Sequence, residues 1–190
     1  ENTDPDFTVG VLLGHKEGVW YILDVRRDRW SAHQNEKVIR QTAIVDGADV
    51  PVRMEEEPGA SGKSLIDVYA RRVLQGFAFR GCKPGADIVT RAMPLMAAAE
   101  RGCVKLVKGN WNADFLDEFE SFGQKGVHDD IVSATAGAMA EIRDGFGFRE
   151  ADPLRGDRRA QNALGRYDDE IERILMQMTL NDRLKAEELM

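Results

Sequence analysis

The chain has no run near the ~18 consecutive apolar residues that a membrane span requires, and no leader pattern at its start. It also lacks an initiator Met. It opens Glu1-Asn2-Thr3-Asp4, so the expectation is a fragment of a longer protein. Cysteine is scarce: Cys82 and Cys103 are the two present, without metal-ligand spacing. They argue for a reducing compartment and against a disulfide framework. An excess of basic charge is missing too. The formal net charge is −7, whereas nucleic-acid binders usually carry a basic footprint. A metal-dependent nuclease is not excluded by this, because it concentrates acid at its site and its DNA contacts are local. No internal repeat is visible. What remains, 43% hydrophobic and 31% charged residues over 190 positions, fits a soluble globular domain with an appendage.

Charge is unevenly placed. Tyr167 to Met190 carries seven acidic residues against three basic ones. Arg71, Arg72, Arg80, Lys83, Arg91, Arg101, Lys105 and Lys108 punctuate the middle of the chain.

Taken in order, Phe7 to Leu13 and Val19 to Val25 read as strands joined by a turn at His15 to Gly18, hence a hairpin. Ser31 with Gln34 forms a capping box that opens a helix through Val38, Ile39, Thr42 and Val45 to Asp46-Gly47. Val50 to Val52 is a strand that runs into Glu55, Glu56 and Glu57. Ser61 is the expected N-cap of a helix from Leu65 to Leu74. Phe77 to Arg80 is a short strand and Gly81 to Asp87 a loop. Thr90 to Arg101 is a helix, with Pro94 tolerable only near its first turn. Val104 to Val107 is a strand, and Asn112 caps a helix through Phe115, Leu116 and Phe119. His128-Asp129-Asp130 starts a helix with the expected buried stripe Ile131, Ala134, Ala138 and Ile142. The order gives an α/β fold, a mixed sheet with helices on its faces. The expected organisation is a domain at 1–144, a linker at 145–157 rich in glycine and charge, and a helical tail at 158–190. In the tail, Ile171, Ile174, Leu175 and Met178 recur at helical spacing. That helix would dock on its own domain or on a partner.

The organising stretch is Val50 to Ser64, VPVRMEEEPGASGKS. Its carboxylates sit where a strand ends and a helix follows, the edge at which open α/β sheets bind ligands. On a strand, Glu55 and Glu57 would share a face and Glu56 would take the other. Three readings stand open. One is a solvated acidic loop. Another is a phosphate-binding loop at Gly62-Lys63-Ser64. That pattern needs glycine five positions before Gly62, where Glu57 stands instead. The last is a metal site built from Glu55 with Glu57 beside it, which needs a second acidic cluster.

Asp129 and Asp130 supply one. Carboxylates are also common in a first helical turn simply because the helix dipole favours them. Two features favour a site here: the residues are adjacent, and the helix behind them is rich in small residues suited to close packing. A strand-end Glu and a helix-start Asp could meet over the sheet and hold divalent cations. Two such ions activate water and stabilise the leaving oxygen in phosphodiester hydrolysis, and oxygen ligands suit Mg²⁺ or Mn²⁺.

Several segments together resemble the C-terminal nuclease domain of the large subunit of tailed-phage terminases. They are Asp4 to Gly14, Val19 to Arg29 with Trp30-Ser31, Glu55 to Lys63, Val89 to Pro94, Asn110-Trp111 and His128 to Asp130. They run in the family's order from Asp4 to Ile142, about three quarters of the 190 residues. The resemblance implies a ribonuclease H-like fold and two-metal cutting of concatemeric viral DNA. It implies Glu55 as the strand-end ligand and Asp129 or Asp130 as the helix-start ligand; His128 beside them would orient a ligand or water, or be structural. It further implies double-stranded DNA as substrate, an upstream ATPase domain, small-subunit and portal partners, and the cytoplasm of an infected or lysogenic bacterium. The family's first-strand Asp is not among these residues: either that strand lies upstream of Glu1, or this protein lacks one ligand. Ser133 stands where the family has a further acidic residue, and Ile88 where it has Lys. Lys63, Arg71, Arg72, Lys83 and Arg91 are candidate phosphate contacts, or simply a solvated basic face. The reading from another class is a catalytically weakened DNA-clamping or motor-assembly module.

Overall fold

The computed structural model describes residues 7–143, all within the unit Glu1–Gly147. The expected linker at 145–157 and the tail at 158–190 lie outside them.

The first strands form where expected. β1 (Thr8–Lys16) and β2 (Val19–Asp28) pair antiparallel. They are joined by a tight turn in which Glu17 and Gly18 both have positive φ, 52° and 80°, as a two-residue hairpin with right-handed strand twist demands. A bulge falls at Leu23: Leu12 opposes Asp24 while Leu13 opposes Ile22. The extra residue shifts the inward phase, so Trp20, Ile22 and then Val25 point into the core. β5 (Val104–Leu106) adds to β2 in parallel.

α1 (Ala32–Asp46) carries the expected capping box, with Ser31 and Gln34 reciprocally bonded. β3 (Val52–Glu55) and β4 (Phe79–Cys82) pair in parallel. The expected mixed sheet is β1-β2-β5, with one antiparallel and one parallel pair, and β3-β4 forms a second, parallel sheet, unpaired with it among the described residues.

The helix expected at Leu65 to Leu74 starts earlier and changes character. α2 (Ala60–Val68) begins after Gly59, at φ 107°, with no side-chain cap, so Ser61 lies inside the helix. It runs into a π-helical turn, Tyr69–Val73, closed by Leu74 N–H donating to Tyr69 C=O at 2.8 Å. α3 (Ile88–Glu100) begins two residues before the expected Thr90. Asp87 caps it, accepting from Thr90 N–H at 3.0 Å and Thr90 Oγ1 at 2.7 Å. Pro94 consequently sits in the interior of α3, beyond the first turn. α4 (Asn112–Ser121) has Trp111 at its N-cap. Asn112 is not the cap. Its side chain accepts from Gly109 N–H at 2.6 Å and donates to Val107 C=O at 3.0 Å, pinning the preceding turn.

α5 (Asp130–Arg143) closes the described fold. Its buried residues are Ile131, Val132, Thr135, Ala136 and Met139. Of the expected stripe only Ile131 is fully buried; Ala134, Ala138 and Ile142 are half-buried. The larger side chains set the phase, because each removes more apolar surface from water than alanine does. They join two clusters under the three-stranded sheet: Ile22, Val25, Trp111, Phe115 and Ile131, then Trp20, Leu95, Ala98 and Met139. A third cluster, Ala43, Tyr69, Val73 and Leu74, packs with Val52, Met54, Phe77 and Phe79 of the β3-β4 region.

Candidate active site where a strand end meets a helix

Continued back one residue to Asp129, one side of α5 carries a polar residue or glycine at every fourth position: Asp129, Ser133, Gly137 and Glu141. Residues four apart lie along one side of a helix. Here that side meets β3 and β4. Glu141 accepts from Arg53 Nε and Arg80 Nη2, each at 2.9 Å. Two residues further along β3, Glu55 reaches Gly137, where a Cβ would lie 3.4 Å from Glu55 Oε1. Two strand residues advance ~6.6 Å and four helical residues ~6 Å. Strand and helix thus run in opposite senses and in step, and β3 aims its end toward the start of α5.

Arg91, on the second turn of α3, ties this junction together. Its Nη1 makes a short ion pair with Glu55 Oε1, and Nη2 donates to Ser133 Oγ at 3.1 Å. The Arg91 side chain is only 15% exposed, against 41% for Glu55. Arg91 Nε is buried and has no hydrogen-bond partner among the described residues. Gly137 gives the Glu55 carboxylate its space, since a larger side chain would take it.

The two aspartates are treated differently. Asp130 Oδ2 accepts from Phe7 N–H at 3.4 Å and lies 3.5 Å from His128 Nδ1. The His128 ring meets Phe7 edge-on, with centroids 5.1 Å apart. Asp130 is thereby held toward the start of β1. Asp129 is exposed, and its carbonyl accepts from Ser133 N–H at 2.8 Å, which aligns it with the polar side of α5. Glu55 is joined to α5 through Arg91, which bonds both its carboxylate and the Ser133 hydroxyl, and Ser133 stands one helical turn, ~6 Å, from Asp129. No group of three or more His, Cys, Asp or Glu residues forms a metal cage among the described residues.

Below the aspartates, Glu118 of α4 is 5% exposed. Its Oε1 accepts from Ile131 N–H at 2.5 Å and Val132 N–H at 3.0 Å. It supplies from another helix the cap that the first turn of α5 needs. Burial raises its pKa above the usual value, and the two backbone donors partly offset that.

The remaining expected site residues scatter. β3 ends at Glu55, so strand alternation does not extend to Glu57, which is exposed past the strand. Glu56 continues the ladder by donating its N–H to Cys82 C=O at 2.7 Å, and Lys83 Nζ lies 4.0 Å from its carboxylate. Lys63 is exposed on α2. Gly62 is buried with its Cβ space taken by the Glu57 backbone, so that glycine serves close packing rather than a phosphate cradle. Arg71 pairs with Asp67 at 2.7 Å and Arg72 with Glu36 at 2.6 Å, both on the surface. Sequence reasoning missed Ser133, Gly137 and Glu141 as one polar line, although their four-residue spacing is visible. It also missed Glu118 and the partner of Arg91, for which no local signal exists.

A helix-flanked α/β frame thus holds an arginine between a strand-end carboxylate and a hydroxyl of α5, one turn from a helix-start aspartate. A family model described as a terminase RNaseH-like domain matches residues 1–141, and the chain belongs to that family. No curated protein and no solved structure matches it. The ribonuclease H-like fold class and the nuclease-type terminase module both follow from that membership. No described helix is long and apolar enough to cross a membrane.

The donors present suit a divalent cation in part. Glu55 and Asp129 are both oxygen donors, as Mg²⁺ and Mn²⁺ prefer. Gly137 keeps the carboxylate uncrowded, and a cationic side chain already stands among these groups.

Proposed function

We propose that this chain is the metal-dependent DNA endonuclease module of a viral packaging terminase, hydrolysing phosphodiester bonds of concatemeric double-stranded DNA. The observation that carries this reading is the placement of Glu55. A strand-end carboxylate lies against α5, paired with a cation, on the same side of the helix that leads to Asp129. Glu55 and Asp129 would hold Mg²⁺ or Mn²⁺. Asp130, positioned by His128 and the Phe7 amide, is the further helix-start ligand, and Glu57 is an outer carboxylate at the rim. When bound, two such ions activate the attacking water and stabilise the leaving oxygen. The protein's own part is to fix the ligands. Glu118 secures the start of α5, and the Glu141 pairs with Arg53 and Arg80 fix β3 and β4 against that helix. Lys63, Arg71, Arg72 and Lys83 are exposed cations suited to phosphate contacts, which position DNA without reading its sequence. In the cell the module would work in the cytoplasm of the infected or lysogenic bacterium. An upstream ATPase domain, the terminase small subunit and the portal would be its partners.

A DNA-clamping or motor-assembly role is the second reading. It draws on the fact that Glu55 is already neutralised by Arg91. Incubation with supercoiled plasmid in Mn²⁺, in Mg²⁺ and in chelator separates the two. Nicking that requires metal and is lost in Glu55→Gln, Asp129→Asn or Asp130→Asn supports the nuclease. A folded protein that shifts DNA in a gel yet leaves the plasmid intact supports the clamp.

A further inference from the structure

We propose that Arg91 is a built-in cation that occupies Glu55 until DNA arrives, so that divalent-metal binding at Glu55 is coupled to the transfer of this guanidinium from the carboxylate to a backbone phosphate. The inference rests on the nuclease reading above and adds a regulation of the same site.

Three features carry it. First, the guanidinium stands on Glu55 Oε1 and Ser133 Oγ at once, the place between the strand end and the helix start where an added cation would have to go. Two cations on one carboxylate oxygen repel, so metal and guanidinium compete for it. Second, the pairing is incomplete. Arg91 engages Glu55 through a terminal nitrogen, while Nε is buried without a partner among the described residues. A guanidinium satisfied on both edges, as in a two-bond fork, would be harder to move. Third, the ends of the pair differ in exposure. Arg91 is largely enclosed, whereas Glu55 remains 41% exposed. The carboxylate is reachable from solvent, and a phosphate approaching that opening offers the guanidinium an alternative anion of matching geometry. Lys83 and Glu56, at the adjoining ends of β4 and β3, put a further exposed cation close by. Linkage then requires that whatever removes the guanidinium from Glu55 raises its affinity for metal, and the reverse.

The test measures Mn²⁺ binding to the whole chain by the loss of the free-ion paramagnetic resonance signal, first without DNA. Wild type should bind weakly. Arg91→Met, which keeps the length and removes the charge, should bind roughly tenfold tighter, within the usual range of such couplings. Ser133→Ala, which removes one anchor of the guanidinium, should shift the same way by less. It also serves if Arg91→Met fails to give a native circular-dichroism melt. Adding a short duplex should tighten Mn²⁺ binding in wild type and leave Arg91→Met nearly unchanged. Equal or weaker Mn²⁺ binding by both variants would overturn the proposal and make Arg91 a fixed organiser of Glu55. Placing Glu55→Gln in the Arg91→Met background separates the two levels. Loss of the gained affinity supports competition at Glu55. Retention of it means Glu55 is not a ligand, and the failure then lies in the nuclease reading itself.

Discussion

Two carboxylates reach α5 from other elements, and they are held in opposite ways. Glu118 is buried at 5% exposure and bonded to two fixed backbone N–H groups at the helix start. Glu55 is 41% exposed and bonded to a side-chain cation on a rotatable stem. Backbone donors in the first turn cannot leave without unwinding the helix, so Glu118 belongs to the architecture. A guanidinium can swing away and be replaced, so Glu55 belongs to an exchangeable site. The same contrast runs along α5. Ile131, Val132, Thr135, Ala136 and Met139 bury one side, and Asp129, Ser133, Gly137 and Glu141 present a polar line on another.

Breaking the architectural carboxylate should have the largest effect on stability. Glu118→Ala leaves the amides of Ile131 and Val132 buried and unpaired, at ~1–3 kcal/mol each. Chemical denaturation should register a loss of roughly 3–5 kcal/mol; a loss below about 1 kcal/mol would remove Glu118 from its role.

The exchangeable side predicts the reverse pattern. Gly137→Leu builds a branched side chain outward from a Cβ 3.4 Å from Glu55 Oε1, while leucine favours a helix over glycine by ~0.8 kcal/mol. Its melting temperature should therefore hold while metal-dependent plasmid nicking falls away. Retained nicking would show that Glu55 does not need its berth against Gly137.

A smaller effect sharpens the Glu118 side. Its folded-state pKa is raised above the usual 4.5 by burial. A raised carboxylate pKa contributes stability that is fully present below about pH 4.5 and is lost as pH rises through the folded-state value. Between wild type and Glu118→Gln, the difference in unfolding free energy should drift against wild type over that window, by about 1.4 kcal/mol per unit of displacement. A flat difference would mean that the backbone donors cancel the burial.

The smallest effect belongs to the surface. Arg71→Ala removes an exposed pair with Asp67, worth ~0.3–0.5 kcal/mol. If Arg71 touches phosphate, the salt slope of DNA binding should drop by about one; an unchanged slope leaves it a solvated cation.

Much of the frame was legible because its signals are local. The hairpin, the Ser31–Gln34 capping box, the strand ending at Glu55 and the helix start at Asp129-Asp130 each follow from a few neighbouring residues. The phase of α5 was harder to read. Alanine and glycine occupy much of the helix and bury similar surface in any rotation, so Met139 and Val132 decide it only once packed. The division into two sheets was not legible either, since strand patterns do not state which edges pair. Arg91 and Glu55 are 36 residues apart and Arg91 and Ser133 are 42 apart. An arginine in a helix reads as a surface cation until the tertiary fold supplies its partner. Asp87 was readable as a cap, with Thr90 three residues on, but Pro94 drew the expected start too far forward.

The central claim is that Glu55 is chemically active and structurally expendable. The most direct measurement is Mn²⁺-dependent nicking of supercoiled plasmid by Glu55→Gln beside wild type, with the thermal melt of each recorded on the same preparation. A near-unchanged melt with nicking abolished is the expected result. Undiminished nicking by Glu55→Gln, or a collapse of its fold to match, would contradict it.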